Sequence, residues 1–126
     1  MRAVDTNVLV RLLTRDDGSQ VAAAESFVQT GAWVSHLVLI ETIWVLESVY
    51  KVTAEQIGSG VEMLLDHSEI VVQDGDVARA ALEQYRQHSG VGFSDCLILE
   101  VARAAGHIPL GTFDRGLGKL PGAQKL

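Results

Sequence analysis

The sequence predicts an α/β fold, a three-layer α/β/α sandwich of parallel β-α units, in a single domain covering residues 1–126. Three observations predict it. Short apolar segments alternate with longer ones whose apolar residues recur at helical spacing. The short segments are apolar nearly throughout, as in strands of a parallel sheet covered by helices on both faces. The 126 residues match the length of one domain and contain no linker, internal repeat or low-complexity tract.

Taken in order, Ala3-Val4-Asp5 reads as a short buried strand that ends at a carboxylate, followed by Thr6-Asn7, residues that favour helix starts. Val8 to Leu13 continues as helix, and Asp16-Asp17-Gly18-Ser19 breaks it. A second helix runs from about Gln20 to Thr30, with Val21, Ala24, Phe27 and Val28 on one stripe. Gly31 closes it, and Ala32 to Ser35 is a second strand. His36 to about Tyr50 is a strongly apolar helix, and Thr53 caps the next, which reaches about His67 with Ile57, Val61, Leu64 and Leu65 on one face. Glu69 to Val72 is a third strand, and Asp76 to about His88 is helical. After a loop at Ser89 to Gly92, Ser94 caps a helix through Ala105 that Gly106 ends. Ile108 to Thr112 is a fourth strand with Pro109 near its beginning. Gly116 to Gly122 is a glycine-rich loop or short helical turn, and Ala123 to Leu126 adds an edge strand.

Composition narrows the function classes. With 48% apolar residues and a mean hydropathy of +0.21, the chain can bury a large interior and has apolar surface to spare for a partner. No apolar run approaches the eighteen or so residues that cross a bilayer, and Met1 to Asp5 lacks the features of a signal peptide. The single cysteine, Cys96, cannot form an internal disulfide, so the cytoplasm is the expected compartment. The formal charge of −6 is unusual for a nucleic-acid binder. Setting aside four acids for a metal site leaves 12 against 10 Lys and Arg, and two divalent ions would return positive charge where an anionic substrate binds.

Those four acids are Asp5, Glu41, Asp95 and Asp114. Ligands of open parallel sheets bind beyond the carboxyl ends of the strands. Asp5 ends the first strand, Asp114 lies two residues past Thr112, and Asp95 stands in the first turn of the helix feeding that strand. Carboxylates gathered there repel, by roughly 4 kcal/mol per pair at about 4 Å and an effective dielectric near 20, so cations must offset them. Glu41 is the one charge between Leu37 and Leu46, in a helix apolar enough to be buried nearly all round. It is therefore paired with a cation or faces a polar cleft, unless that face of the helix reaches solvent. Read singly, each of the others has an ordinary explanation. Asp95 suits a helix dipole, Asp5 a turn after a strand, and Asp114 an ion pair with Arg115. Their joint placement is what points to metal.

An all-oxygen ligand set without histidine–cysteine spacing suits Mg²⁺ or Mn²⁺ rather than zinc, and such ions support phosphodiester hydrolysis. Asp5 and Asp95 are the expected principal ligands, Glu41 and Asp114 complete the shell or orient water, and Thr6, Asn7, Ser94 and Thr112 support the carboxylates. Arg11, Arg15, Arg115 and Lys119 are candidate phosphate contacts, or solvated surface charges.

Asp5-Thr6-Asn7 at the start, Glu41 in its apolar helix, Phe93-Ser94-Asp95-Cys96-Leu97-Ile98 and Thr112-Phe113-Asp114 resemble, in order and setting, PIN-domain nucleases. Length and compact ending resemble their bacterial toxin branch, the VapC-type toxins of type II toxin–antitoxin modules. The resemblance spans essentially the whole chain. It implies a parallel sheet of about five strands, Mg²⁺- or Mn²⁺-dependent endoribonuclease activity on RNA, inhibition by a cognate VapB-type antitoxin, and a homodimer. Ser94, where many relatives carry another small residue, and Cys96 are minor departures. Surplus apolar residues on the first helix (Leu9, Val10, Leu12, Leu13) and the fourth (Met63, Leu64, Leu65) fill the core or form a groove for the antitoxin.

Three other readings compete. A phosphorylation-dependent signalling receiver needs paired acids after the first strand and an aspartate ending the third; here one acid follows the first, and Val72 leads to Gln73-Asp74. A haloacid-dehalogenase-like phosphatase needs a second aspartate where Asn7 stands. A non-catalytic binding module would have no use for four intact carboxylates.

Overall fold

In the computed structural model, which describes residues 1–126, the chain forms six helices and five short strands. It divides into two compact units, Met1–Gly75 and Asp76–Leu126.

In the first unit, β1 (Arg2–Ala3), β2 (Ala32–Val34) and β3 (Ile70–Val72) form a parallel ladder with β2 in the centre, pairing Arg2 with Ala32 and Val34 with Val72. The first strand is shorter than its apolar stretch. Val4 adds one more bond, its N–H donating to Trp33 O at 3.2 Å, and Asp5 then leaves the ladder to begin a helix. Four helices follow: α1 (Thr6–Thr14), α2 (Gly18–Val28), α3 (His36–Ser48) and α4 (Ala54–Asp66). Each starts at a residue whose side-chain oxygen accepts a backbone N–H, namely Asp5, Asp17, Ser35 and Thr53. Thr53 and Gln56 complete a reciprocal capping pair.

Asp17 explains why α2 begins at Gly18 rather than Gln20. Its carboxylate accepts from Gln20 N at 3.0 Å, so the acidic stretch that ends one helix also starts the next. Along α2, Val21, Ala24 and Val28 are buried as expected. Phe27 is half-buried, its ring covered by the Arg2 guanidinium at 3.8 Å. Gly31 takes φ +100, a conformation that suits glycine, between α2 and β2. Leu9, Val34, Leu39, Ile57 and Leu64 fill the core of this unit.

The second unit holds α5 (Gly75–Gln87, starting at the boundary), α6 (Phe93–Ala104), β4 (Leu110–Thr112), a 3₁₀ turn at Leu117–Lys119 and β5 (Ala123–Lys125). The β4 and β5 strands pair in parallel, Leu110 with Ala123 and Thr112 with Lys125. Pro109 lies just before β4, where its missing N–H costs no ladder bond. Leu82, Phe93, Leu97 and Leu99 are buried, with Tyr85 edge-on to Phe93 at 5.9 Å.

Ser94 does not cap α6. The helix begins one residue earlier, at Phe93, and its N-cap is Gly92 in extended conformation (φ −67, ψ 152), which has no side chain to offer. Ser94 therefore lies inside the first turn. At the other end Gly106 adopts φ +83 and stops the helix. No helix is long and apolar enough to cross a membrane.

Candidate functional site

Within the first unit, the residues around Asp5 are fastened to α3. Asp5 is exposed, sits directly after the first ladder, and accepts Val8 N–H at 3.4 Å as the N-cap of α1. The next residue, Thr6, is buried, and its hydroxyl donates a hydrogen bond to the Glu41 carboxylate. One hydroxyl thus ties the start of α1 to the middle of α3. Asn7 is exposed.

The setting of Glu41 differs from the expectation. Helix α3 is not buried all round. It buries Leu39, Thr42, Ile43 and Leu46 on one face, while Leu37 (81% exposed), Glu41 and Trp44 (63% exposed) form an outward stripe at i, i+4 and i+7. Apolar composition overstated burial because it cannot distinguish a covered face from an apolar face left in solvent. Glu41 is therefore an exposed carboxylate held by a buried donor.

In the second unit, Asp95 occupies the third position of α6 and is half-buried. Burial foremost, and then the charge of Asp114, push its carboxyl above the usual aspartate range. Asp114 is exposed and rigidly seated. Its Oδ2 accepts Leu117 N–H at 2.7 Å, its carbonyl accepts Gly118 N–H at 3.0 Å, and its own N–H donates to Thr112 Oγ1 at 3.0 Å. Thr112 thus orients Asp114 through the backbone. No ion pair joins Asp114 to Arg115; the acid is engaged in capping the 3₁₀ turn instead. Gly116 leaves room for this arrangement, since a Cβ there would lie 3.3 Å from Val91 and 3.4 Å from Asp114 Oδ2.

The donor chemistry fits a hard divalent cation. The four acids and their hydroxyl neighbours offer only oxygen. The soft candidate nearby, Cys96, is buried, and its thiol is pushed up to about 11, by burial foremost and by Asp95 and Glu100, so it stays protonated near neutral pH. Neither unit by itself gathers three His, Cys, Asp or Glu side chains around a common point.

Two of the four candidate phosphate contacts are committed elsewhere. Arg11 donates to Gln20 Oε1 at 2.5 Å, Asp16 Oδ1 at 3.1 Å and Tyr50 Oη at 3.0 Å, and Arg15 pairs with Glu25 at 2.8 Å. Their place is in the packing of α1 against its neighbours. Arg115 and Lys119 are exposed and carry no ion pair. A charge not foreseen is Glu100, buried on α6, where both its oxygens accept from Arg103 Nε at 3.0 and 3.3 Å. The i, i+3 spacing of Glu100 and Arg103 was the available signal.

The PIN domain family matches residues 2–123 of the chain. A comparison with curated proteins finds no match.

Proposed function

We propose, since this chain belongs to the PIN-domain family, that it is an Mg²⁺- or Mn²⁺-dependent endoribonuclease that hydrolyses RNA phosphodiester bonds. PIN domains are in general metal-dependent nucleases, and the family does not favour the signalling-receiver alternative. The observation that carries the reading is the acid pair of the second unit: Asp95, half-buried on α6, feels the charge of Asp114, which Thr112 and the 3₁₀ turn hold in place, and two carboxylates close enough to repel suit a shared cation.

In this reading Asp5, Glu41, Asp95 and Asp114 serve one site, and the two units form one domain, 1–126, in a three-layer sandwich whose two ladders belong to a single five-stranded sheet. The unbroken family match over residues 2–123 supports that unity. Asp5 and Asp95 would be the principal ligands of the ion; Glu41, fixed by Thr6, and Asp114, fixed by Thr112 and the 3₁₀ turn, would complete its shell or orient water. Asn7 and Ser94 are further hydrogen-bonding groups beside the acids. When bound, magnesium or manganese supplies positive charge against the phosphate oxygens and makes neighbouring water more acidic.

We further assign the chain to the toxin side of a VapBC-type module in the cytoplasm, acting as a homodimer and neutralised by a cognate VapB-type antitoxin. Two open grooves of the first unit support a protein partner. One, of about 850 Å³, includes Leu12, Val21, Met63 and Leu64; the other, of about 710 Å³, includes Leu13, Leu46, Tyr50 and Met63. Leu9 and Val10 are spent in the core, whereas Leu12, Leu13 and the exposed Met63 line these grooves.

The test is cleavage of single-stranded RNA by the purified chain. Activity should require Mg²⁺ or Mn²⁺ and stop on chelation; cleavage that persists in excess EDTA rejects the mechanism. Induced expression should arrest bacterial growth, and coexpression of the product of a neighbouring small reading frame should relieve it. Growth unaffected by an active nuclease rejects the toxin assignment alone.

A further inference from the structure

Phe113 is 81% exposed, although it stands directly between Thr112 and Asp114. An exposed phenylalanine on an otherwise anchored segment has a ring face free to receive an occupant, and its surroundings indicate which. The backbone on both sides is fixed: Leu126 N–H donates to Thr112 O at 2.8 Å, and Asp114 is bonded to Thr112, Leu117 and Gly118. The ring is thus presented from a held position.

The charges beside it are equally specific. Arg115 follows Asp114, and Lys119 closes the 3₁₀ turn that Asp114 caps. Neither has an acidic partner, whereas Arg11, Arg15 and Arg103 are each paired with one. In a chain of net charge −6, Arg115 and Lys119 are two exposed, unpaired cations within six residues of the exposed aromatic, following the acid Asp114. A protein partner that covered Phe113 would have to supply acids for both cations or leave them desolvated and unpaired. A single strand of RNA offers both complements at once, a base face for the ring and phosphates for the cations.

We infer that Phe113 is a stacking platform for an unpaired base of the RNA substrate, with Arg115 and Lys119 meeting the adjoining phosphates. The inference rests on the ribonuclease reading above and extends it. It makes Phe113 a substrate-positioning residue: the base on its ring sets which phosphate lies against Asp114. Any base has a face to stack, so the preference it imposes follows stacking strength, purines over pyrimidines, rather than a hydrogen-bond code.

The experiment uses the full chain and a short single-stranded oligoribonucleotide carrying 2-aminopurine, whose fluorescence falls on stacking. Binding is followed in EDTA and in calcium, and cleavage of the unlabelled oligonucleotide in magnesium. The wild type should quench the probe. Phe113→Leu should lose the quenching and weaken binding roughly 5- to 100-fold, raising KM more than it lowers kcat, and Phe113→Trp should restore both. Arg115→Gln should flatten the salt dependence of binding by about one counterion. Unchanged quenching and affinity in Phe113→Leu overturns the inference, as does failure of the wild type to quench. So does a change of Phe113→Leu from dimer to monomer at unaltered RNA affinity, which would assign the ring to a second copy of the chain. Quenching without magnesium- or manganese-dependent cleavage would sink the ribonuclease reading while leaving the stacking site intact. Cleavage indifferent to Phe113 would do the reverse.

Discussion

The two units treat their carboxylates in opposite ways. In Met1–Gly75, Asp5 is used as a helix cap and Glu41 receives the hydroxyl of Thr6, so both have donors of their own. In Asp76–Leu126, Asp114 is likewise seated by Leu117 N–H, but Asp95 is pressed by burial and by its neighbour's charge, and its carboxyl rises. The first unit holds acids ready; the second holds one under electrostatic pressure. A carboxylate satisfied by protein donors is fixed in direction but gains less from a cation than one left repelled. Under the proposed function, the contrast makes Asp95 the acid with the most to gain from a cation.

The sharpest way to break this comparison is to neutralise one acid in each unit. Asp95→Asn and Asp5→Asn should each lower RNA cleavage by at least about 100-fold, more than the loss of a group that merely orients a ligand. Their metal-free stabilities should differ. Asp95→Asn removes a repelled charge and should raise the thermal midpoint, whereas asparagine caps a helix as well as aspartate does, so Asp5→Asn should leave it unchanged. Equal midpoints for the two variants, by calorimetry without metal, would erase the distinction.

Next in size is Thr6→Val. Loss of the buried hydroxyl should cost about 1 kcal/mol in urea unfolding and reduce cleavage roughly 10-fold by freeing Glu41, while Thr6→Ser keeps most of both. Normal activity in Thr6→Val would show that Glu41 needs no such hold.

A smaller effect concerns pH. Because the Asp95 carboxyl is raised in the folded state, ionising it favours unfolding. That penalty is fully present above its folded pKa and vanishes as pH falls below the ordinary aspartate value of about 3.9. The stability gained by Asp95→Asn should therefore be greatest near neutral pH and shrink on acidification; a gain that grows toward low pH reverses the sign and rejects the cause. The smallest effect belongs to Cys96. Its buried thiol, pushed up to about 11, should resist alkylation at pH 8 until the protein is unfolded. Rapid labelling of folded protein would show that α6 opens.

Much of this was legible in the chain, because it depends on neighbours in sequence. The strand positions, the cap at Thr53, the stop at Gly106 and the family resemblance carried by Asp5, Glu41, Asp95 and Asp114 all follow from local pattern. What escaped depends on distant partners or on absent atoms. Arg11 looked available until Tyr50, 39 residues away, took one of its nitrogens. Ser94 looked like a cap because serine is a good one, yet α6 starts after a glycine. The apolar run around Glu41 implies burial, but hydrophobicity reports what a residue resists and not what covers it. Phe113 belongs to the Thr112-Phe113-Asp114 motif, but its exposure is a tertiary fact.

The last residues have their own bearing on how Asp114 is held. Arg103, steadied by Glu100, donates to Pro121 O at 2.5 Å, and Gly122 (φ +92) lies so near the guanidinium that a Cβ would come within 2.9 Å of it. That latch delivers β5 to β4, and β4 ends two residues before Asp114. The final six residues contain no acid, yet they act as a splint for one. Trimming them, or putting alanine at Gly122, should slacken the turn that seats Asp114 and weaken cleavage from a distance.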